Sequence, residues 1–199
     1  YLKKIKSTEY VVFVDLDNIN NKITKKSIES CFQKNNWSGC FANQEVGYYD
    51  IFALRANNWN SVDCFAEIYK DNINSFSYIQ EDFQMDYLFE KHVLKKMRKI
   101  KKDSEWIEVN SAFGGIGIYK YEDIKNNFYD LTPSKSEYEY ECEHVNFNNR
   151  IIENGGKLFI NPGFINSKYN EHNKRLKKRF LYLDKLRRFN TLRKDPFNL

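Results

Sequence analysis

Two carboxylates close a hydrophobic run in the stretch Tyr10–Asn18, YVVFVDLDN: Val11, Val12, Phe13 and Val14 lead without a break into Asp15, Leu16 and Asp17. A β-branched and aromatic run with no polar alternation predicts a strand buried on both faces, as inside a parallel sheet. Its C-terminal end is where open α/β sheets bind their ligands. Asp15 and Asp17 are two residues apart, so a regular strand would aim them at opposite faces. Both serve one site only if the chain bends, and the following Asn18, Asn20 and Asn21 permit that. Paired carboxylates there suit a hard divalent cation carrying a phosphorylated substrate. The plainer alternative is a solvated strand-to-loop junction, where Asp and Asn are common.

Two later places carry chemistry of their own. Gly114 and Gly115 interrupt an apolar stretch, Ser111 to Tyr119, where backbone approaches a ligand or another strand; a simple bulge explains them equally well. Their G-G-x-G spacing is not the nucleotide-binding G-x-G-x-x-G. Glu143 closes the acidic run Glu137, Glu139, Glu141, Glu143 and opens a predicted helix through His144, Phe147 and Ile151. The helix dipole alone favours an acid at that position.

The elements that would position these residues follow in order. Thr24 caps a helix through Ile28 to about Gln33. Strands are expected over Trp37–Ala42, Tyr48–Arg55, Trp106–Asn110 and Lys157–Pro162, the last stopping at its proline. A basic helix spans Met85–Lys102, with His92 on its surface or half-buried, and Gly155-Gly156 ends the helix that Glu143 begins. Together they predict an α/β fold, a mixed and mostly parallel central sheet flanked by helices, with Val11–Val14 as a central strand.

At 199 residues the chain is one domain by size, and its 41% hydrophobic and 17% aromatic content argues against disorder. No run approaches a membrane helix and no signal peptide is visible, so a cytoplasmic location is favoured over a secreted one. Tyr1 in place of Met suggests a piece of a longer chain. Cys31, Cys40, Cys64 and Cys142 are scattered and read as reduced thiols. The net charge of +5 is uneven: residues 168–199 hold eleven Lys or Arg against three acids, and the rest has 21 basic against 24 acidic residues. Nucleic-acid binding would need basic residues spread over the body, so no nucleic-acid partner is expected. The tail, with Leu176, Phe180, Leu183 and Leu186, predicts an amphipathic basic helix.

The order of the motifs adds more than any one of them. A buried strand ending in D-x-D, then YYDIFALR, SAFGGIGIY, CEHVNF and an I-N-P strand, resembles the GT-A-fold glycosyltransferases, particularly those of large DNA viruses and the capsule-type mannosyltransferases of fungi. The resemblance covers about residues 10–166 and implies a catalytic region over 1–167, followed by the 168–199 helix. It implies a nucleotide-sugar donor, a glycan or glycoprotein acceptor, and Mn²⁺ or Mg²⁺ held by Asp15 and Asp17, with His172 as a late metal ligand. It would put Asn18 beside the metal pair and Tyr49, Asp50 and Arg55 on the donor-sugar side. Gly114 and Gly115 would face the acceptor with His144 nearby, and Glu143 would be the catalytic base of an inverting enzyme, with Glu141 and then the catalytic candidate Asp50 as competitors for that role. The family places several nucleotide-binding βα units before its D-x-D, whereas only 14 residues precede Asp15 here. The chain is therefore expected to match the catalytic half.

VVFVDLDN also resembles the first motif of haloacid-dehalogenase-type phosphatases, in which the first Asp is a nucleophile. There Ile19 stands at the motif's Thr position, and no later acidic pair ends a strand. A metal-dependent NYN-type nuclease and a degenerate, non-catalytic domain are the further alternatives.

Overall fold

A computed structural model describes residues 8–74, 81–129, 141–170 and 172–173. The predicted tail helix and the loop around Pro133, with Glu137 and Glu139, lie outside the described residues. Five strands form one sheet: β1 (Tyr10–Val14), β2 (Gly39–Gln44), β3 (Ile107–Val109), β4 (Ile116–Lys120) and β5 (Leu158–Ser167), in spatial order β1-β4-β2-β5-β3. Helices α1 (Lys25–Glu29), α2 (Cys64–Asn74), α3 (Glu81–His92), α4 (Tyr121–Ile124) and α5 (Glu143–Glu153) flank it. The fold is α/β with a mixed sheet, as expected.

The expected mostly parallel pairing is overturned. Only β2 and β5 pair in parallel; β1–β4, β4–β2 and β5–β3 are antiparallel. β1, β2 and β5 do run in one direction, but β4 slots in reverse between β1 and β2, and β3 runs in reverse along β5. The carboxyl ends of β1, β2 and β5 and the amino end of β4 consequently meet at one edge of the sheet, with Val14 opposite Ile116 and Gln44 opposite Ser167.

Alternation sorts the sheet into two cores. Phe41, Tyr119, Leu158 and Ile160 face α5 (Phe147, Ile151) and the α2–α3 side (Ile68, Leu88). Cys40, Ala42, Ile116, Ile118 and Phe159 face Cys31 and Trp37 on the other side. The prediction of a central, doubly buried Val11–Val14 fails here. β1 is an edge strand: Val11 and Phe13 pack inward, whereas Val12 and Val14 are 52% and 44% exposed. Tyr10 reaches Phe32 and Trp37, so the layer on that face covers the start of β1 and not its end.

Other boundaries moved for identifiable reasons. Thr24 caps α1 through a reciprocal pair of bonds with Ser27, and a 3₁₀ turn over Ser30–Gln33 completes the predicted helix. Tyr48–Arg55 is a string of turns, not a strand. Asp50 Oδ1 accepts the Ala53 N–H at 3.2 Å, the side-chain-to-backbone bond by which Asp makes turns. α3 ends at His92 and a short 3₁₀ turn, Leu94–Lys96, follows, its Lys96 carbonyl taken by the Trp59 indole N–H at 2.7 Å. His92 itself is buried between Asp71 (2.8 Å) and Glu67 (3.4 Å) of α2. β5 continues past Pro162 because the ladder is bulged there: Phe41 pairs with Ile160 and Asn43 with Ile165, which leaves the proline without a ladder bond to donate. No helix among the described residues is long and apolar enough to cross a membrane.

Candidate functional site

The shared edge of the sheet holds an open cleft of ≈ 420 Å³, lined among others by Asp15, Asp17, Tyr49, Asp50, Glu143, His144 and His172. Four carboxylates from three separate segments thus face one space. Asp15 is fixed first: directly after β1, its N–H donates to the Gly115 carbonyl at 2.9 Å. Regular strand geometry ends at Val14 and the chain bends at Asp17 and Asn18, the latter with a left-handed φ of 67°, and Asp15 and Asp17 both line the cleft. Asn18 is exposed and does not line the cleft, so it acts through the backbone.

Gly114 and Gly115 form the turn into β4 with φ of 69° and 87°. A Cβ on Gly114 would stand 2.9 Å from the Ala42 carbonyl oxygen, and one on Gly115 3.0 Å from Tyr49 Oη. Their lack of side chains is used for packing backbone against β2 and Tyr49; neither lines the cleft. Asp50 lines it, and its two oxygens also accept backbone N–H groups, from Gly114 at 2.9 Å and from Ala53.

Glu143 is the first residue of α5 and faces the cleft, as the sequence led us to expect. Beside it, His144 stacks on Phe113 with ring centroids 3.9 Å apart, and Tyr129 Oη lies 3.1 Å from its Nδ1. Burial holds His144 below its ordinary value, against the pull of Asp50 and Glu143, and burial raises Tyr129. A neutral imidazole with Nδ1 accepting from the Tyr129 hydroxyl satisfies both, and it leaves the proton on Nε2, 3.9 Å from Glu143 Oε1 and beyond hydrogen-bond range. Tyr49 stacks on His172 with centroids 5.0 Å apart, placing that histidine on the cleft rim.

Arg55 is not brought to the cleft. It is 6% exposed beneath the turn, paired with Asp63 (3.0 Å) and Glu141 (3.4 Å) and donating to the Phe52 and Leu54 carbonyls. Asp63→Ala would leave that guanidinium short of its best partner and remove the α2 cap, in which Asp63 Oδ1 accepts from Phe65 and Ala66. We expect a loss of about 3–5 kcal/mol in urea unfolding. Asp63→Asn, which keeps a capping oxygen, should recover part of it. A loss under ~1 kcal/mol would class the pair with surface bridges.

The cleft is electrostatically loaded. Burial, then the carboxylates of Asp17, Asp50 and Glu143, push Asp15 up to about 6, with His172 opposing. The folded state therefore holds this proton more tightly than the unfolded chain. The contribution is full below the ordinary value of 3.8 and is lost as pH rises through about 6. Asp15→Asn is expected to raise the Tm of the metal-free protein above that pH and to change it little near pH 4 (about the unfolded value). Thermal melts at the two pH values check this, and a gain confined to acid would refute it.

No three His, Cys, Asp or Glu side chains among the described residues stand together as a ready metal cage. The donor set nonetheless suits a hard cation of the Mg²⁺ or Mn²⁺ kind, which Mg²⁺ proteins commonly hold by one or two carboxylates plus substrate phosphates. Asp15 and Asp17 offer that pair, and a cation would relieve the repulsion felt at Asp15. Sequence reasoning missed Tyr129, the Phe113–His144 stack and the grip of Asp50 on Gly114; each is a contact between distant segments without a local signature. No protein-family model matches this chain and no curated protein is significantly similar to it, so the cleft's own residues carry the functional reading.

Proposed function

We propose that this chain is the catalytic region of a metal-dependent glycosyltransferase, moving a sugar from a nucleotide-sugar donor to a glycan or glycoprotein acceptor. The observation that carries the reading is the convergence of Asp15, Asp17 and Glu143, spread over 129 positions of sequence, on one cleft at the sheet's carboxyl edge. That is where the resemblance to GT-A-fold enzymes requires a metal pair and a base. Asp15 and Asp17 would hold Mn²⁺ or Mg²⁺, which when bound supplies positive charge for a departing nucleoside diphosphate. Glu143 takes the proton of the acceptor hydroxyl. Asp50 keeps the Gly114 turn in place under the acceptor side, and neutral His144 offers Nε2–H to an acceptor oxygen. Tyr49 and His172 form a stacked wall at the rim.

The test is calorimetry with Mn²⁺ and a panel of nucleoside diphosphates, followed by sugar-transfer assays with the matching nucleotide-sugars. Metal-dependent nucleotide binding and transfer are expected. Hydrolysis of a generic aryl phosphate, with a phospho-aspartate at Asp15 trapped as its beryllofluoride analogue, would instead establish the phosphatase reading.

A further inference from the structure

Beneath the cleft lie three amide side chains that the metal-and-base reading does not use: Asn20, Gln44 and Asn166. Gln44 and Asn166 are fully buried, at the ends of β2 and β5. Asn20 Nδ2 donates to the carbonyls of Asp15 (2.8 Å) and Gly115 (2.9 Å), while its Oδ1 accepts from Asn166 Nδ2 (2.7 Å). Asn166 Nδ2 also donates to the Gly114 carbonyl (2.8 Å), and its Oδ1 accepts from Gln44 Nε2 (2.9 Å). Gln44 Nε2 donates again to Gly114 (3.0 Å), and Oε1 accepts the Tyr49 N–H (3.3 Å). Every N–H of the three amides has an acceptor and every amide oxygen a donor. The chain of bonds has one sense, running from Tyr49 through Gln44, Asn166 and Asn20 to the Asp15 carbonyl.

The four segments this chain ties together all meet the cleft or flank its lining: 15–20, 49–50, 113–115 and the end of β5. None of them is regular structure except the last; the Asp15 N–H bond to the Gly115 carbonyl ties the first to the third, and the amides tie Tyr49 and the end of β5 to that pair. Buried networks satisfied throughout rigidify what they join, and one reversed or charged member leaves carbonyl oxygens facing each other. We infer that Asn20, Gln44 and Asn166 are positioning residues for the cleft, setting where Asp15 stands relative to the Gly114–Gly115 turn and Tyr49. This rests on the metal-binding reading only for its functional readout.

Asn166→Asp replaces the donors to Gly114 and Asn20 with anionic oxygen and is the sharpest probe; Asn20→Ala, at a less buried position, is the second should Asn166→Asp not fold. The control is Asn161→Asp. Asn161 is buried to a similar degree in β5 but bonds Ser30, Cys31 and the Gly163 N–H, away from the cleft. All three are to be compared below their melting temperatures by Mn²⁺ affinity and by amide hydrogen exchange at Asp15. We expect Asn166→Asp and Asn20→Ala to weaken Mn²⁺ about 10–100-fold, the range for partners that orient metal ligands, and to speed exchange at Asp15. Asn161→Asp should lower Tm and change neither. If the network variants lower Tm but leave Asp15 exchange as in the control, the inference is overturned. Should the parent bind no Mn²⁺, the metal reading fails, and the exchange comparison still decides the positioning role.

Discussion

Glu143→Gln is expected to slow sugar transfer by roughly 10²–10⁴-fold in an inverting enzyme, with Mn²⁺ and donor binding nearly unchanged. Asp50 and Glu143 line the cleft with Phe113, Glu141 precedes Glu143 by two residues, and the partners of the three acids distinguish them. Glu141 is turned to Arg55 at 3.4 Å. Asp50 accepts backbone N–H groups on both oxygens. Glu143, half-exposed at the first turn of α5, faces the cleft and has His144 Nε2 at 3.9 Å. Gln preserves shape and removes basicity, so the loss should fall on kcat and not on binding. A retaining enzyme would show a smaller loss, and unchanged kcat with altered donor affinity would remove Glu143 from the base role.

Asp17→Ala should weaken Mn²⁺ by at least about 100-fold, beyond what loss of an outer-shell partner costs, and transfer should fall with it. Asp15 is anchored by its own backbone, whereas Asp17 stands past the β1 ladder, where the chain bends, and lines the same cleft. Removing its carboxylate leaves Asp15 as the single ligand from that loop, the lower limit for a hard cation held by one or two carboxylates and substrate phosphates, so the loss should be largest without a nucleotide. Calorimetry with Mn²⁺, with and without a nucleoside diphosphate, reads the change. Parent-like affinity in Asp17→Ala would mean that the D-x-D sequence is a loop feature and not a metal pair.

Much of this site was legible because its signals are local. Thr24 capped a helix, Glu143 opened one, Gly114-Gly115 turned the chain, and the apolar runs at 107–109 and 158–160 became strands. What was not legible depends on neighbours. Val11–Val14 reads as a buried strand from composition, yet burial of Val12 and Val14 needs a covering layer that stops at Tyr10. YYDIFALR has strand composition, but Asp50 bonding to Ala53 and Gly114 fixes turns instead. Arg55 looked like a sugar ligand until Asp63 and Glu141 closed around it. Strand direction escaped because β4 inserts between two strands that precede it in the chain, and no residue marks that insertion. The relay of Asn20, Gln44 and Asn166 joins positions up to 146 apart, and a sequence rich in Asn hides two more.

The placement of β1 bears on how the protein loses activity on heating. Among the described residues that strand is bonded on one side only, to β4, and two of its five residues keep exposed apolar side chains. Segments with few buried contacts and one-sided ladders open at lower free energy than the global transition. Asp15 and Asp17 hang from this strand, while β2 and β5, ladder-bonded on both flanks, form the sheet's centre. Detachment of the edge would scatter the carboxylates with the cores still packed. Inactivation should therefore run ahead of the melting curve, and a cation bridging Asp15 and Asp17 should narrow that gap by stapling the edge to its substrate side.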